Sequence, residues 1–207
     1  MIKQTFRAIA IVAGLCVAAP ASADVLGVGS IVEFDKPGDN TTLHGGGPFD
    51  LRVVSGVGAG DTWKTFCLEV SEYINYSDQY EVKAITDRTT SRNVAISDAT
   101  KAIYHWYRDG ASGWSGADVQ YAIWFLESQA NGVNNAVAQW GVNNAATYGF
   151  GGGDQVYVVQ LIRADNKLAA QDQLMIQRAV PEPGSMLLVG LGLLASGAAV
   201  RRRQRVQ

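Results

Sequence analysis

SGADVQYAIWFLESQANG, residues 115–132, is the stretch that decides how the chain is organised. Ser115 stands three residues before Asp118, the spacing of a capping box, so a helix is expected to start here. From Tyr121 to Leu126 the residues are apolar without a break, which predicts a helix buried on most of its sides. Just upstream, SDATKAIYHWYRDG (97–110) places Ala99, Ala102, Ile103, Trp106 and Tyr107 on one face, with Ser97 or Asp98 as N-cap and Gly110 past the end. Downstream, GVNNAVAQW and GVNNAAT begin at Gly132 and Gly141, a local duplication too short for a solenoid, read as an expanded surface helix or loop.

On either side of this helical part the period falls to two. SIVEFD (30–35), FDLRVVS (49–55), TWKTFCLEVSEYI (62–74) and QYEVKAIT (79–86) read as strands, with the Gly/Pro/Asp-rich KPGDNTTLHGGGP between the first two. DQVYVVQLIR (154–163) and DQLMIQRAV (172–180) read as two closing strands. The expected class is α+β: a strand-rich domain, sandwich or barrel-like, with an inserted helical part that carries Gln120.

Both ends carry targeting features. Residues 1–23 have Lys3 and Arg7, then an apolar run, then Ala21-Ser22-Ala23, the three parts of a secretory signal, so the mature chain is expected to begin at Asp24. At the other end Val180-Pro181-Glu182-Pro183 precedes an uncharged apolar segment (184–200) and then Arg201, Arg202, Arg203 and Arg205. The segment is at the short edge of a membrane span, and the arginines would stay cytoplasmic. In order and composition, residues 180–207 resemble the PEP-CTERM sorting signal of Gram-negative bacteria, with Pro181, Glu182 and Pro183 as its name-giving motif. The resemblance implies an exosortase-type processing enzyme as partner. It also implies transient anchoring in the inner membrane, a final place at the cell surface or in the extracellular matrix, and a host that makes exopolysaccharide and biofilm. One extracellular domain, 24–179, is left between the two ends.

All 19 acidic residues lie in 24–183, whereas six of the 17 basic residues fall outside it, which leaves that region a net charge of −8. Such a balance argues against nucleic acid and anionic membrane surfaces as partners and favours cationic ones, amines among them. Two histidines, His44 and His105, and one mature cysteine make no metal-ligand cluster, and no cofactor is expected. His44 to Gly47 (HGGG) resembles the oxyanion loop of some esterases, but no Gly-x-Ser-x-Gly elbow accompanies it. The Gly runs at Gly45 and Gly151 lack the Lys-Ser/Thr of a phosphate loop. Five tryptophans between Trp63 and Trp140 allow a sugar-binding face, with core packing the default for Trp106 and Trp124.

The chain has two cysteines, and Cys16 lies in the expected signal peptide, so Cys67 is alone in the exported domain. It could be an inert buried thiol. It could be the nucleophile of a thiol hydrolase, which would need a histidine base. Or it could attack a glutamine carboxamide, expel ammonia and close an internal thioester, provided the two groups are held in contact in a dry setting. Gln120, embedded in VQYAIW on the most apolar helix, is such a glutamine. The bland alternative for it is a hydrogen bond to a strand edge.

Phe66-Cys67-Leu68-Glu69 and, 53 positions on from Cys67, Val119-Gln120-Tyr121-Ala122-Ile123-Trp124 together resemble the Cys-Gln thioester domains of bacterial surface proteins. There an aromatic-Cys-aliphatic-polar motif precedes an aliphatic- or Thr-Gln-x-Ala-Ile-Trp motif. The similarity runs over roughly residues 62–129. It implies a covalent adhesin and not a turnover enzyme. The Cys67–Gln120 thioester would react once with an amine on a partner surface protein or amino sugar. Tyr121, Trp124 and Phe125 are candidates for shielding the bond, with ordinary core packing as the alternative for each. The rival reading is a non-covalent exopolysaccharide or biofilm matrix protein with an inert Cys67.

Overall fold

A computed structural model describes residues 25–35, 46–108, 110, 113–146 and 155–177. All of them fall within one compact unit, Ala23–Ala179. The expected signal peptide, His44, Gly45, Gly151 and the whole sorting tail lie outside the described residues.

The molecule is strand-rich. Six strands, β1 (Ile31–Asp35), β2 (Phe49–Ser55), β3 (Thr62–Thr65), β4 (Tyr80–Thr86), β5 (Gln155–Arg163) and β6 (Ala169–Gln177), form one antiparallel sheet in the order β3-β2-β1-β4-β5-β6. Three short helices, α1 (Asp98–Arg108), α2 (Gly116–Leu126) and α3 (Ala136–Asn144), fall between β4 and β5 in the chain. The fold is mostly β. The described strands make a single open sheet, so the sandwich alternative does not form.

Alternation explains the sheet. Val32 and Phe34 of β1, Phe49, Leu51 and Val53 of β2, and Tyr80 and Val82 of β4 are buried on one face, while their neighbours are partly exposed. With Val159, Leu161 and Met175 they build one apolar cluster, in which the rings of Phe49 and Tyr80 each stand edge-on to Phe34. β5 and β6 are buried on both faces: Val156, Val158, Leu174 and Ile176 point the other way, into a second cluster with Ile103, Tyr104, Val119, Ala122 and Ile123 of the helices. A register shift between Val159 and Leu161 marks where β5 changes its burial pattern.

α2 begins as the sequence expects: Ser115 is the N-cap and its Oγ accepts from Asp118 N at 3.1 Å. It spans both clusters, Trp124 lying in the first and Ala122 and Ile123 in the second. The GVNNAVAQW copy forms a surface helix with one face turned inward. Asn135 caps α3, and Val137, Ala138 and Gly141 are buried. Gly141 sits so close to α1 that a Cβ there would lie 2.6 Å from Ile103 Cδ1, so the helices meet through the lack of a side chain. Residues 62–74 were expected as one strand, but the ladder ends at Thr65. Phe66, Cys67, Leu68 and Glu69 are all buried, which a half-exposed strand cannot achieve. This segment crosses to the far edge of the sheet instead, where Cys67 bridges Gln173, Leu68 N donates to Asp172 O and Leu174 N donates to Phe66 O.

Tyr104 of α1 joins both edges, its hydroxyl lying 2.7 Å from Lys64 O and 3.1 Å from Leu174 O. Tyr104→Phe removes that donor from a buried site, and we expect a loss of about 1–2 kcal/mol in urea unfolding with little change in the slope.

Candidate functional site

Cys67 and Gln120 meet where this crossing segment passes under α2. Gln120 is in the second turn of α2 and fully buried. Its carboxamide is closed around the Cys67 backbone: Oε1 accepts from Cys67 N at 3.0 Å and from Gly47 N at 2.9 Å, and Nε2 donates to Cys67 O at 2.8 Å. The alternation of residues 66–68 turns Phe66 and Leu68 toward the helices and Cys67 into the opposite cluster with Trp124.

The thiol is free, fully buried and without charged partners. Cys67 Sγ lies 2.8 Å from Gln171 Oε1, to which it donates. Burial pushes its pKa up to about 12, against the pull of the Gly47 N–H, the Gln173 side chain and its own N–H. Sulfur and the Gln120 carbonyl oxygen are therefore gathered around the same two backbone donors. A pair of N–H groups aimed at a carbonyl oxygen is the arrangement that stabilises negative charge when a nucleophile adds to the carbon. Gln171, the other amide beside the sulfur, is held differently. Its Nε2 donates to Glu69 O and Glu72 O, and its Oε1 faces the thiol.

Glycine makes the arrangement possible. A Cβ on Gly46 would stand 2.6 Å from Gln120 Cγ and from the Trp124 ring, and one on Gly47 would stand 2.9 Å from Thr65 O and 3.1 Å from Gln120 Oε1. Gly47, the last residue of the HGGG run, thus supplies a backbone donor to the Gln120 carbonyl oxygen.

Of the aromatic residues named above, Trp124 is 1% exposed and its Nε1 has no hydrogen-bond partner. Tyr121 is half-buried and packs edge-on to Trp124, with ring centres 5.9 Å apart. Phe125 is 41% exposed, on a different side of α2 from Gln120. His105 is in the last turn of α1, and none of the groups that hold the Cys67 thiol is a histidine.

A second polar group lies beside the first. Glu69, Glu72 and Asp172 each bring an oxygen within 4.8 Å of the others. Asp172 accepts from Thr90 N (2.5 Å) and Thr90 Oγ1 (2.9 Å), and Glu69 accepts from Ser91 N and Ser91 Oγ. Glu69 Oε2 and Glu72 Oε2 are buried with no partner. Three carboxylate oxygens suit a hard cation or shared protons. Burial, then the neighbouring Glu69 and Asp172, pushes the Glu72 carboxyl up to about 8; burial, with Glu69 adding to it, pushes Asp172 up to about 7. Sequence reading missed this cluster, because Glu69 and Glu72 look like the polar positions of a strand and Asp172 is a hundred residues away. The available signal was QDQ, three polar residues in succession at the start of an otherwise apolar closing strand.

Two expectations follow. Gly46→Ala should displace Gln120 and Trp124 and lower the melting temperature, whereas Gly110→Ala, at a site with open space, should act only through its positive φ (69°). The acid cluster binds protons more tightly folded than unfolded. Its contribution to stability is complete below the unfolded carboxyl range and is lost as pH rises through 7 to 8. The melting temperature should therefore fall as pH rises from the ordinary carboxyl range to about 8 and level off above it, and Glu72→Gln should flatten that slope.

Compared with known proteins, residues 179–203 match the PEP-CTERM protein-sorting motif. No curated protein and no solved structure matches the chain. No helix among the described residues is long and apolar enough to cross a membrane, and the expected membrane segment 184–200 lies outside them. The motif implies an exported protein that carries a C-terminal membrane-passing signal, is processed by an exosortase and is sorted to the cell surface.

Proposed function

We propose that the domain is a covalent adhesin whose Cys67 and Gln120 close an internal thioester. The observation that carries the reading is the clasp on Gln120. Its carbonyl oxygen sits between two backbone N–H donors, its nitrogen is tied to Cys67 O, and a buried thiol lies beside the same donors. Closure is balanced without a cofactor. Sγ adds to Gln120 Cδ, the tetrahedral oxyanion forms facing Gly47 N and Cys67 N, the C–N bond breaks, and the thiol proton leaves with the amide as ammonia. A thiol with its pKa pushed up to about 12 is a poor free nucleophile, and its thiolate is also a poor leaving group, so a bond closed here is slow to open. Enforced contact, not thiolate population, would drive the step. On the cell surface the bond would react once, passing the Gln120 acyl group to an amine of a partner surface and freeing Cys67.

The rival, a non-covalent exopolysaccharide matrix protein, draws on a different feature. A cleft of about 620 Å³ is lined by Trp63, Tyr107 and Trp114 with Asp50, Lys64 and Arg108, a mixture of rings and charges that suits a sugar chain.

Intact mass of the exported domain decides between them. The adhesin is one ammonia lighter than its sequence. Cys67→Ala and Gln120→Ala each restore the full mass, and methylamine adds to Gln120 of the native protein while exposing one thiol at Cys67 in equal amount. Full mass in the native wild-type domain, with a thiol revealed only on unfolding, would assign it to the matrix-protein class.

A further inference from the structure

Glu69 and Glu72 lie on the chain just past Cys67, and Asp172 comes to them from β6, with one carboxylate oxygen of each within 4.8 Å of the other two. Glu69 is 1% exposed, Asp172 is fully buried and Glu72 is half-buried. We propose that this group is a calcium site, and that the bound ion ties the segment carrying Cys67 to β6. The site does not depend on the thioester and would serve either class of protein.

Hydrogen bonds account for only part of the group. Asp172 takes two donors from Thr90, the N–H on Oδ2 and the hydroxyl on Oδ1, and Glu69 Oε1 takes two from Ser91. Glu69 Oε2 and Glu72 Oε2 are buried and have no donor. They belong to carboxyls that stand against each other, near enough for one to hydrogen-bond the other when it carries a proton. Facing acceptor oxygens in a buried site repel unless something positive lies between them. Lys83 of β4 offsets the charge at Asp172 only in part, because burial and then Glu69 outweigh it. Thr89, bonded directly to Thr90, is 1% exposed, and its Oγ1 is a further buried oxygen without a partner.

The chemistry of the donors selects the ion. All three are carboxylate oxygens, which suit calcium, magnesium or manganese better than zinc or copper, whose ligands are commonly nitrogen and sulfur. Oxygens on opposite sides of a calcium ion are about 4.6–5.2 Å apart, and those around magnesium about 4.0–4.2 Å. A set spread within 4.8 Å therefore fits a calcium shell as it stands. Calcium takes roughly six to eight oxygens, so three carboxylates leave places for water. Glu72 lines a cleft of about 190 Å³, which has room for several water molecules and gives the ion a way in. Binding would join Glu69, two residues past Cys67, to Asp172, whose neighbours Gln171 and Gln173 touch the thiol and bridge Cys67. The hydrogen bond from Leu68 N to Asp172 O would then be backed by an ionic link between the same two strands of chain.

Calcium chloride added to the exported protein after EDTA treatment tests the site, at about pH 8 because ligands must shed their protons to bind. Calorimetry should find one calcium ion per chain, with half-saturation at about 0.1 mM. At about 10 mM calcium the melting temperature should rise by about 5–10 °C over sodium chloride of matched ionic strength. Magnesium should need at least about tenfold more to do the same. Glu72→Gln and Asp172→Asn keep the shape of each side chain and remove a ligand charge. Each should weaken calcium binding at least about tenfold, while melting no lower than the wild type in EDTA, since repulsion is relieved. Where Asp172→Asn does not fold, Glu72→Gln, at the half-buried position, decides alone. A melting temperature that calcium moves no further than sodium chloride does overturns the proposal. So does a calcium response that survives these variants, or an equal response to magnesium.

Discussion

A carboxamide with no access to water must find its hydrogen bonds inside the protein, and Gln120 finds three of them on one spot of backbone. Most of the architecture can be read as the means of satisfying that demand. α2 has to be buried deeply enough to bring its second turn to the sheet, which is why it is apolar on several sides. Residues 66–68 pair with β6 through Phe66 O and Leu68 N, and the alternation of the backbone leaves the N–H and C=O of Cys67 facing the carboxamide. The loop before β2 has to approach within contact of Gln120 and Trp124, which Gly46 and Gly47 permit and a side chain would prevent. If the carboxamide were lost, two backbone donors and one acceptor would be stranded in the interior, so the residue is tied to the fold as firmly as to any chemistry.

The polar interior does not stop at this clasp. β6 presents Gln171, Asp172 and Gln173 in succession, and all three are buried. Gln171 turns to the thiol and the crossing segment, Asp172 to Thr90, and Gln173 to Thr65. Burying charge and amide groups side by side lowers stability unless each is paired. Two carboxylate oxygens here remain unpaired. Strained electrostatics of this kind gathers at sites that bind or transfer something, and here it lies directly against the only cysteine of the described residues.

The sheet was legible where one face is wet: β1, β2 and β4 alternate cleanly and were placed from sequence to within a residue or two. β3 was read too long, because Phe66, Leu68 and Val70 keep a strand's period while obeying a different constraint, a crossing to the opposite edge. The GVNNAVAQW copy was read as a surface helix or loop; it forms the helix α3, whose outer face is exposed and whose inner face packs on Ile103 through Gly141. Cys67 and Gln120 were legible through their local motifs. Gly47, Gln171, Glu72 and Asp172 were not, since each is brought to the site from a distant part of the chain and carries no local pattern of its own.

The junction between Phe66–Leu68 and β6 also has a mechanical meaning. β6 ends at Gln177, and the match to the sorting motif begins at residue 179. Tension applied from that side enters the strand that is buried on both faces and paired with β5 from Gln177 to Ala169. It reaches Cys67 through the bridge at Gln173 before it reaches the loops. A pull on Gln177 is thus delivered to the clasp through a row of short rungs.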